Sequence, residues 1–364
     1  MKIANILFNF KKSENQKKIF GVERCFIDYT SGLISLGNDV ITISKPNMVF
    51  ADEIIGKGGK YFEVNAANVG DVFSILKLAK IFFCFKPDVL ICHSGRAMTL
   101  SRFALKAIFK KTPIVAIDHG SNSKKFIKAD FVLPVNSFFA KKYIKHGKDK
   151  NRVLSISNMI EVPKNFRELK KPKFRKKIIL GSLGSICYAK FFDKIILAMV
   201  ILQKKGIECD FVIGGVGPDQ EKLKDLAKEF NLSNNFRILG WVDNKREFFS
   251  NIDIFILPSF VETFGIVLLE AMLYSTPIIS SNSWGPNDII QDRVNGLKVS
   301  KDDAEKMPQL IADAILKLNN DQEFSKKLAK NAYDDFWQKY TSDKVLNNLS
   351  HILDNAVKIG VDKG

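Results

Sequence analysis

The chain has 364 residues, of which 46% are hydrophobic and 26% charged, and its formal net charge is +17. This length allows roughly two or three domains with sizeable cores, and it excludes a peptide or a single small module. The balance of apolar and charged residues excludes an intrinsically disordered chain.

Apolar, β-rich runs alternate with helical patterns through the first half of the chain. The runs predict strands at 3–8, 39–43, 88–92, 113–117, 131–135 and 153–156. The helical patterns predict helices at 22–36 and 72–85, and a further helix through Leu105. Strands and helices in this order are typical of a parallel α/β sheet.

A Pro- and Lys-rich stretch, 163–176, lacks apolar periodicity and predicts a linker. Strands are predicted again after it, at 177–183, 209–213, 236–239, 253–257 and 277–280, and helical periodicity then fills 302–357. We therefore predict a Rossmann-like domain at 1–162, a second at 177–340, and a C-terminal helix, 341–364, that packs back on the first. Ligands of such folds bind at the carboxyl ends of the strands, so the crevice between the domains is the expected site.

The positive charge is confined to one half of the chain. The first 175 residues carry a net charge of +18, and the remainder carries −1. Zinc-finger, RNP-type and zipper patterns are missing from the sequence, which disfavours nucleic acid as the partner.

Basic residues accompany aromatic ones in this half. Arg102, Lys106 and Lys110 recur every four residues, as on one helical face. Lysines also follow the aromatic pair 138–139, at Lys141, Lys142, Lys145 and Lys148. Together these residues suit an anionic membrane surface, although a lysine run is also typical of a solvated face.

The five cysteines are widely spaced and form no C-x-x-C pair, which predicts reduced thiols. The first residues lead directly into a predicted strand rather than a signal peptide, and charged residues interrupt the most apolar stretch, 75–92. We therefore expect a cytoplasmic protein without a membrane-spanning segment.

The strongest motif is the segment 258–272, in which Glu262 and Glu270 stand eight residues apart around a Phe-Gly pair. On one continuous helix they would lie about 12 Å apart, too far for a glycosidase pair at roughly 5 Å. The pattern instead favours Glu262 in a turn and Glu270 in a helix. Backbone N–H groups from Phe264 to Val267 would then attract phosphate, and Glu270 could accept both hydroxyls of a ribose.

This motif resembles the Glu-x7-Glu hallmark of family 4 glycosyltransferases, retaining enzymes of the GT-B fold with two Rossmann-like domains facing each other across a cleft. The resemblance implies that Glu270 binds the nucleotide ribose and that Glu262 contacts the transferred sugar. It also places four residues over the diphosphate and the sugar: Phe264, Gly265, Ile266 and Val267.

Two glycine-containing loops of the second half resemble donor-binding elements of the family. In 183–190, Lys190 matches a lysine whose ammonium would neutralise the diphosphate leaving group. Ser185 stands where the family has arginine, which would weaken that stabilisation unless another cation takes its place. Gly215, in a Gly-Gly-Val-Gly-Pro segment, resembles the turn that lines the nucleotide; an ordinary tight strand–helix connection is the alternative.

Segments of the first half resemble the opposite wall of the family's cleft. Gly21 and Arg24 lie in a segment similar to Gly-Gly-x-Glu-Arg, which implies a phosphate-side place for Gly21 and an acceptor-side place for Arg24. His119 follows a predicted strand and matches a histidine that contacts the donor sugar near the reacting centre. His93 also follows a strand and would line the acceptor side, with packing in the core as the alternative.

The resemblance thus implies a retaining hexosyltransferase with a nucleotide-sugar donor, and we expect UDP rather than GDP, with neither a metal ion nor a cofactor. The basic half suggests a lipid-linked, lipopolysaccharide or polysaccharide acceptor of the cell envelope, at the inner face of the cytoplasmic membrane. The alternatives are transfer to a soluble sugar acceptor, a sugar-nucleotide epimerase, and a non-catalytic subunit. The last is motivated by Ser185 and by Ser275, where the family usually has glycine.

Overall fold

A computed structural model describes residues 1–8, 19, 21–120, 123–162, 166 and 175–361 of the chain. The chain forms two compact units, one of Met1–Glu161 with Ser342–Gly364 and the other of Val162–Thr341. Most of the predicted linker, 163–176, lies outside the described residues.

The first unit is built on six strands: β1 (Lys2–Leu7), β2 (Asp39–Ser44), β3 (Lys60–Glu63), β4 (Val89–Cys92), β5 (Ile114–Asp118) and β6 (Phe131–Pro134). They form one parallel sheet in the order β3-β2-β1-β4-β5-β6, with Lys2 opposite Asp39 where β1 meets β2. Every residue of β4, β5 and β6 is buried, as in sheets that helices cover on both faces.

The helices around this sheet are α1 (Gly21–Ser35), α2 (Ala51–Gly56), α3 (Val72–Phe85), α4 (Gly95–Ala107), α5 (Ser123–Phe126) and α6 (Ser137–Lys145). Polar side chains cap three of them: Asp71 accepts from the Ser74 N–H before α3, and Ser94 and Asn136 do the same for α4 and α6. Because parallel crossovers are right-handed, α1 and α2 lie on one face of the sheet and α3, α4 and α5 on the other.

The second unit repeats this arrangement. Its strands are β7 (Ile178–Leu183), β8 (Cys209–Gly214), β9 (Phe236–Ile238), β10 (Ile254–Leu257), β11 (Ile278–Ser281) and β12 (Leu297–Val299). They form a parallel sheet in the order β12-β11-β10-β7-β8-β9, which is the order of the first sheet when counted from its own first strand.

The helices of the second unit are α7 (Asp193–Lys204), α8 (Gln220–Glu229), α9 (Lys245–Asn251), α10 (Ile266–Leu273), α11 (Trp284–Ile289), α12 (Met307–Asn320) and α13 (Gln322–Lys339). A buried cluster of this unit joins β7, β8 and β10 to α7 and α12, and it includes Leu180, Ile195 and Ile311. This core holds the strand ends in fixed positions at the carboxyl edge of the sheet.

The last helix, α14 (Ser342–Val361), belongs to the first unit and contacts α1, β4 and β5. A Cβ on Gly32 of α1 would lie 2.3 Å from a methyl carbon of Leu346. A glycine is therefore required at position 32 if α14 is to pack this closely against α1. No helix within the described ranges is long and apolar enough to cross a membrane.

The two parallel sheets confirm the predicted Rossmann-like fold of both halves of the chain. The strand predicted at 153–156 is wrong, because Val153 makes only an isolated bridge to Val132. The helical face predicted for Arg102, Lys106 and Lys110 is wrong for Lys110, because α4 ends at Ala107. The short strands β3 and β12 lack a long apolar run, and the sequence pattern did not predict them.

Candidate active site

Lys190 lies in the loop that follows β7. The residues Tyr188–Lys190 form a single 3-10 turn, and Phe191 ends it in the left-handed conformation with φ of 53°. A Cβ built on Gly184, the first residue after β7, would lie 3.9 Å from Cε of Lys190. Ser185 is the next residue and is exposed. The ammonium group of Lys190 is therefore at the carboxyl edge of the sheet, where ligands of such sheets bind.

Lys190 forms an ion pair with Glu262, which lies in the loop after β10. The distance from Lys190 Nζ to Glu262 Oε2 is 2.5 Å, and the two side chains are only 18% and 14% exposed. Solvent screens such a partly buried pair less than a surface pair. Glu262, Lys190 and His119 are the residues predicted to be catalytic. The structure brings the first two together, and each compensates the charge of the other.

Hydrogen bonds of the main chain fix the Glu262 loop. The N–H of Phe260 donates to the carbonyl oxygen of Ala189 at 2.9 Å, which joins the two loops of the ion pair. The N–H of Glu262 donates to Ser283 Oγ at 2.8 Å. The N–H of Gly285 donates to the carbonyl oxygen of Glu262 at 3.0 Å. The position of the carboxylate therefore depends on three separate loops.

Helix α10 begins just after this loop. Gly265 precedes it with φ of +93°, a conformation that strains other residues. Among the described residues no side chain caps α10, and its first turn, with Ile266 and Val267, carries no acidic residue. These first N–H groups keep the partial positive charge of a helix N-terminus. Phe264 is buried, so its main chain rather than its ring is available here.

Glu270 lies one turn further along α10, and its side chain is only 17% exposed. Its Oε2 atom lies 3.5 Å from Nζ of Lys245 on α9, yet within the described part of the chain it accepts no hydrogen bond. Burial raises the pKa of the Glu270 carboxyl, and Lys245 partly offsets that effect. A buried acceptor without a donor is costly until a ligand supplies one.

Glycines allow two loops of the second unit to pass very close to each other. A Cβ on Gly215 would lie 1.9 Å from the carbonyl oxygen of Gly184, and one on Gly217 would lie 2.1 Å from that of Ile186. The N–H of Gly184 also donates to the carbonyl oxygen of Gly214 at 3.0 Å. Packing alone therefore requires these glycines, and contact of Gly215 with a nucleotide stays a prediction.

In the first unit the two predicted histidines touch each other. His93 follows β4 and His119 follows β5, which are neighbouring strands. Their ring centroids lie 5.2 Å apart with the planes 14° from parallel, and His93 Nδ1 lies 2.9 Å from His119 Nε2. The other nitrogen of His93, Nε2, lies 2.9 Å from Oδ1 of Asn5 on β1.

The hydrogen bonds of Asn5 assign the protons in this group. The Asn5 amide nitrogen donates to Thr30 Oγ1 at 2.9 Å, so its Oδ1 accepts and His93 Nε2–H donates. Neutral His93 then accepts at Nδ1 from Nε2–H of His119, which leaves Nδ1 of His119 without a proton. Burial, with the neighbouring His119, lowers the pKa of His93 well below its usual range, and burial lowers that of His119 to about 4.

Gly21 and Arg24 lie at the start of α1. Gly21 is the first residue of the helix and is exposed. Arg24 Nε lies 2.9 Å from Asp28 Oδ1, and its Nη2 lies 2.5 Å from Glu53 Oε1 on α2. Arg24 therefore ties α1 to α2, and an acceptor would have to share its guanidinium group with two carboxylates.

Sequence reasoning missed three residues of these sites: Asn5, Lys245 and Ser283. Asn5 carried a usable signal, since an amide inside an apolar β-rich run needs a buried partner. Lys245 and Ser283 carried none, because their contacts depend on loops that are distant in sequence. No group of three or more His, Cys, Asp or Glu side chains suited to a metal ion occurs in the described ranges.

Two family models match the chain, one in each half. The model described as Glycosyltransferase Family 4 matches residues 19–162, and the model described as Glycosyl transferases group 1 matches residues 163–335. The chain belongs to family 4 of the glycosyltransferases. In this glycosyltransferase, Lys190, Glu262 and Glu270 lie in the segment that the second model matches.

Individual relatives of this family 4 glycosyltransferase span different shares of its length. An uncharacterized glycosyltransferase of Methanocaldococcus jannaschii is 30% identical over 198 residues, which are 54% of this chain and 49% of the relative. The chain therefore spans about half the length of that relative. The lipopolysaccharide core biosynthesis glycosyltransferase LpsE of Rhizobium meliloti is 27% identical, over 82% of this chain and 87% of LpsE.

A solved structure shows the same fold. Anabaena HepE, crystallised in complex with UDP and glucose, matches this glycosyltransferase with a TM-score of 0.77 and 16% identity. The match covers 98% of this chain and 100% of the HepE chain. At this identity the likeness supports the GT-B fold, which agrees with the two repeated sheets.

Proposed function

We propose that this glycosyltransferase moves a hexose from a UDP-sugar to a lipid-linked, lipopolysaccharide or polysaccharide acceptor in the synthesis of the cell envelope. The role of LpsE in lipopolysaccharide core biosynthesis supports this class of acceptor, and the UDP and glucose in the HepE crystal support the donor. Both are properties of those proteins, and the residues of this chain supply a separate argument.

The observation that carries the proposal is the buried Oε2 atom of Glu270. It accepts no hydrogen bond from the described residues, and Lys245 only approaches it at 3.5 Å. A ribose offers two adjacent hydroxyl donors, and a carboxylate has the acceptor capacity for both. Binding a nucleotide would therefore remove the cost of the orphaned acceptor.

For the chemical step, we propose that Lys190 stabilises the diphosphate as it leaves the sugar. Its ammonium group is paired with Glu262 at 2.5 Å, so a diphosphate would compete with that carboxylate. The uncapped N–H groups at the start of α10, at Ile266 and Val267, would add a second source of positive potential. The reaction then needs no metal ion, and Glu262 is left to contact the sugar.

His119 is proposed to contact the donor sugar, as the family resemblance implies. Its hydrogen bond to His93 leaves Nδ1 as the acceptor nitrogen, which suits a sugar hydroxyl as the donor. We propose retention of the anomeric configuration, and a proton NMR spectrum of the first product would test it. An inverted product would contradict the retaining mechanism while leaving the donor assignment intact.

Titration calorimetry with UDP, GDP and ADP, each with and without EDTA, tests the donor. We expect UDP to bind in EDTA and Glu270→Gln to weaken it about ten- to a hundredfold, because the amide cannot accept two hydroxyl donors as the carboxylate does. The matched control is Glu229→Gln, which alters an exposed glutamate on α8. Unchanged affinity in Glu270→Gln, or a folded protein that binds no nucleotide, would contradict the proposal.

A second candidate, a non-catalytic glycosyltransferase-like subunit, is favoured by Ser185. This residue is exposed where the family has a cationic arginine. Ser275 also departs from the usual glycine, and it is held at φ of 48°, where glycine is unstrained. Hydrolysis of a UDP-sugar to release UDP, even if slow, would exclude the non-catalytic subunit. Tight UDP binding without any hydrolysis would favour the non-catalytic subunit. If the protein transferred sugar only to soluble sugars, the acceptor would be a soluble sugar and not a component of the cell envelope.

A further inference from the structure

Helix α3 exposes apolar side chains along its outer side. Phe73 is 86% exposed, and Leu76 and Phe83 are also exposed, at the three- and four-residue spacings that share one side of a helix. Lys77 and Lys80 are exposed at the same spacings. Monomeric proteins rarely leave such a row of large apolar side chains in water unless it binds something.

The neighbouring helix α4 extends this surface. Helices α3 and α4 are in contact and lie on the same side of the sheet. The chain leaves α4 at Phe109, whose ring is 95% exposed, and Lys110 follows it. We define the α3–α4 face as Phe73, Leu76, Lys77, Lys80 and Phe83 of α3 together with Phe109.

The charge of the α3–α4 face has a single sign. Between residues 71 and 117 the sequence contains two acidic residues: Asp71, whose carboxylate caps the start of α3, and Asp88, which lies between α3 and β4. The Asp88 carboxylate accepts a hydrogen bond from the Lys2 N–H at 2.7 Å, and Asp88 lies outside both helices. By contrast, α13 alternates acidic and basic side chains, as expected for a helix that only needs to stay hydrated.

We infer that the α3–α4 face docks on the surface of an anionic lipid bilayer. Phenylalanine and leucine side chains can enter the headgroup region, and lysines beside them attract anionic lipids. A bilayer offers both features side by side, an anionic headgroup layer for the lysines and an apolar layer for the rings. The inference rests on the proposed lipid-linked acceptor, and it assigns that acceptor's membrane to one side of the first unit.

Flotation of the full chain with vesicles tests this inference. We expect binding to phosphatidylcholine vesicles containing about one third phosphatidylglycerol, little binding to pure phosphatidylcholine, and loss of binding in high salt. The double variant Lys77→Glu with Lys80→Glu should bind at least about tenfold more weakly. The double variant Phe73→Ser with Phe83→Ser should lose a similar factor in low salt.

Two matched controls lie away from the α3–α4 face. Lys344→Glu with Lys358→Glu makes the same charge change on exposed positions of α14, which packs with α1 on the other side of the sheet. Val294→Ser with Leu310→Ser removes two exposed apolar side chains from the second unit. Both controls should float as the unaltered chain does. Equal losses in the controls would show that only overall charge or hydrophobicity matters and would overturn the inference.

Other outcomes decide between occupants. Absence of binding to anionic vesicles would overturn the inference, and a dimer in solution that Phe73→Ser with Phe83→Ser dissociates would assign the face to a second copy instead. UDP binding is measured on the same variants by calorimetry. Normal UDP affinity without vesicle binding would reject the docking face and leave the proposed donor chemistry standing.

Discussion

The two sheets of this glycosyltransferase have the same strand order but carry opposite kinds of chemistry at their carboxyl edges. The second unit uses charges, in the pairs Lys190–Glu262 and Lys245–Glu270. The first unit uses neutral groups, in the hydrogen-bonded series Asn5, His93 and His119. The strand order therefore determines where functional side chains are placed, and the loop sequences determine their chemistry.

Solvent access explains the difference in charge. In the second unit each glutamate has a lysine ammonium group within reach, at 2.5 Å for Glu262 and at 3.5 Å for Glu270, and each of the four side chains keeps part of its surface in water. His93 and His119 are too buried to hold a proton, so they serve as directed donors and acceptors.

The largest effect should come from removing the ammonium group of Lys190 in the second unit. Lys190→Ala is expected to lower the rate of UDP release from a UDP-sugar about 10²- to 10³-fold, since a donor aimed at developing charge is lost. Lys205→Ala, which removes an exposed surface ion pair with Asp313, is the control. A loss below about threefold would contradict the idea that the charged pairs of the second unit provide electrostatic catalysis.

Acidification should act through the first unit. The folded-state pKa of His119, about 4, lies below its unfolded value, so the unfolded chain binds more protons between about pH 6.5 and 4, and stability falls as the pH drops through that window. Between pH 7 and 5 the loss from His119 is about 2 kcal/mol. Denaturant unfolding at the two pH values should show at least this loss in the unaltered chain, and His119→Asn should remove the part due to His119 while the part due to His93 remains.

Asp28 provides a control, because its effect on stability as the pH falls is opposite in sign to that of His119. Burial raises the pKa of its carboxyl to about 6, although Arg24 acts against this, so the folded chain binds more protons there and gains stability as the pH falls. Asp28→Asn should therefore steepen the acid loss that His119→Asn flattens. The same pH slope in all three proteins would show that the histidines are not buried in solution.

Glu262→Gln should separate binding from chemistry in the second unit. The change leaves Lys190 without its carboxylate partner, so we expect UDP to bind as tightly as before or up to about tenfold more tightly. Transfer should nevertheless fall, because the amide cannot replace the charge near the sugar. Calorimetry with UDP and a turnover assay on one preparation measure both effects. Weaker UDP binding would mean that the ion pair, and not free Lys190, prepares the site.

The smallest effect concerns Arg24. Its guanidinium group bonds to Asp28 and Glu53, and such partly exposed pairs contribute about 0.2–1 kcal/mol to stability. Arg24→Gln should therefore lower the free energy of unfolding by about that amount without changing UDP affinity. Thermal unfolding and calorimetry test the two parts. A large rise in the acceptor KM would support the predicted acceptor-side role instead.

The sequence predicted the fold well because buried parallel strands are continuous apolar runs. The run predicted at 88–92 became β4, and the helical pattern predicted at 72–85 became α3. The edge strand Lys60–Glu63 is half-exposed and carries charges at both ends, so no apolar run marks it. Residues 153–156 lie along β6, and Leu154 and Ile156 donate to its carbonyl oxygens, but the segment forms only one isolated bridge, at Val153.

For the site, the sequence identified residue types but not their partners. The motif spacing singled out Glu262, Glu270 and Lys190, and the structure joins the first to the last through an ion pair. The contact of His93 with His119 depends on β4 and β5 being neighbours, which no local pattern states. Glu270 Oε2 lacks a hydrogen-bond donor because Lys245 of α9 stays 3.5 Å away. The position of α9 is set by tertiary packing, which the local sequence does not state.

The close packing of Leu346 on Gly32 has a consequence for the order of events during synthesis. The first unit is completed by α14, whose residues leave the ribosome only after the whole second unit has been translated. Domains generally fold as units while the chain is being made. Until α14 is made, the side of α1 around Gly32 is therefore exposed to solvent. A truncated chain without α14 would keep this surface exposed, and chaperones and proteases would recognise it.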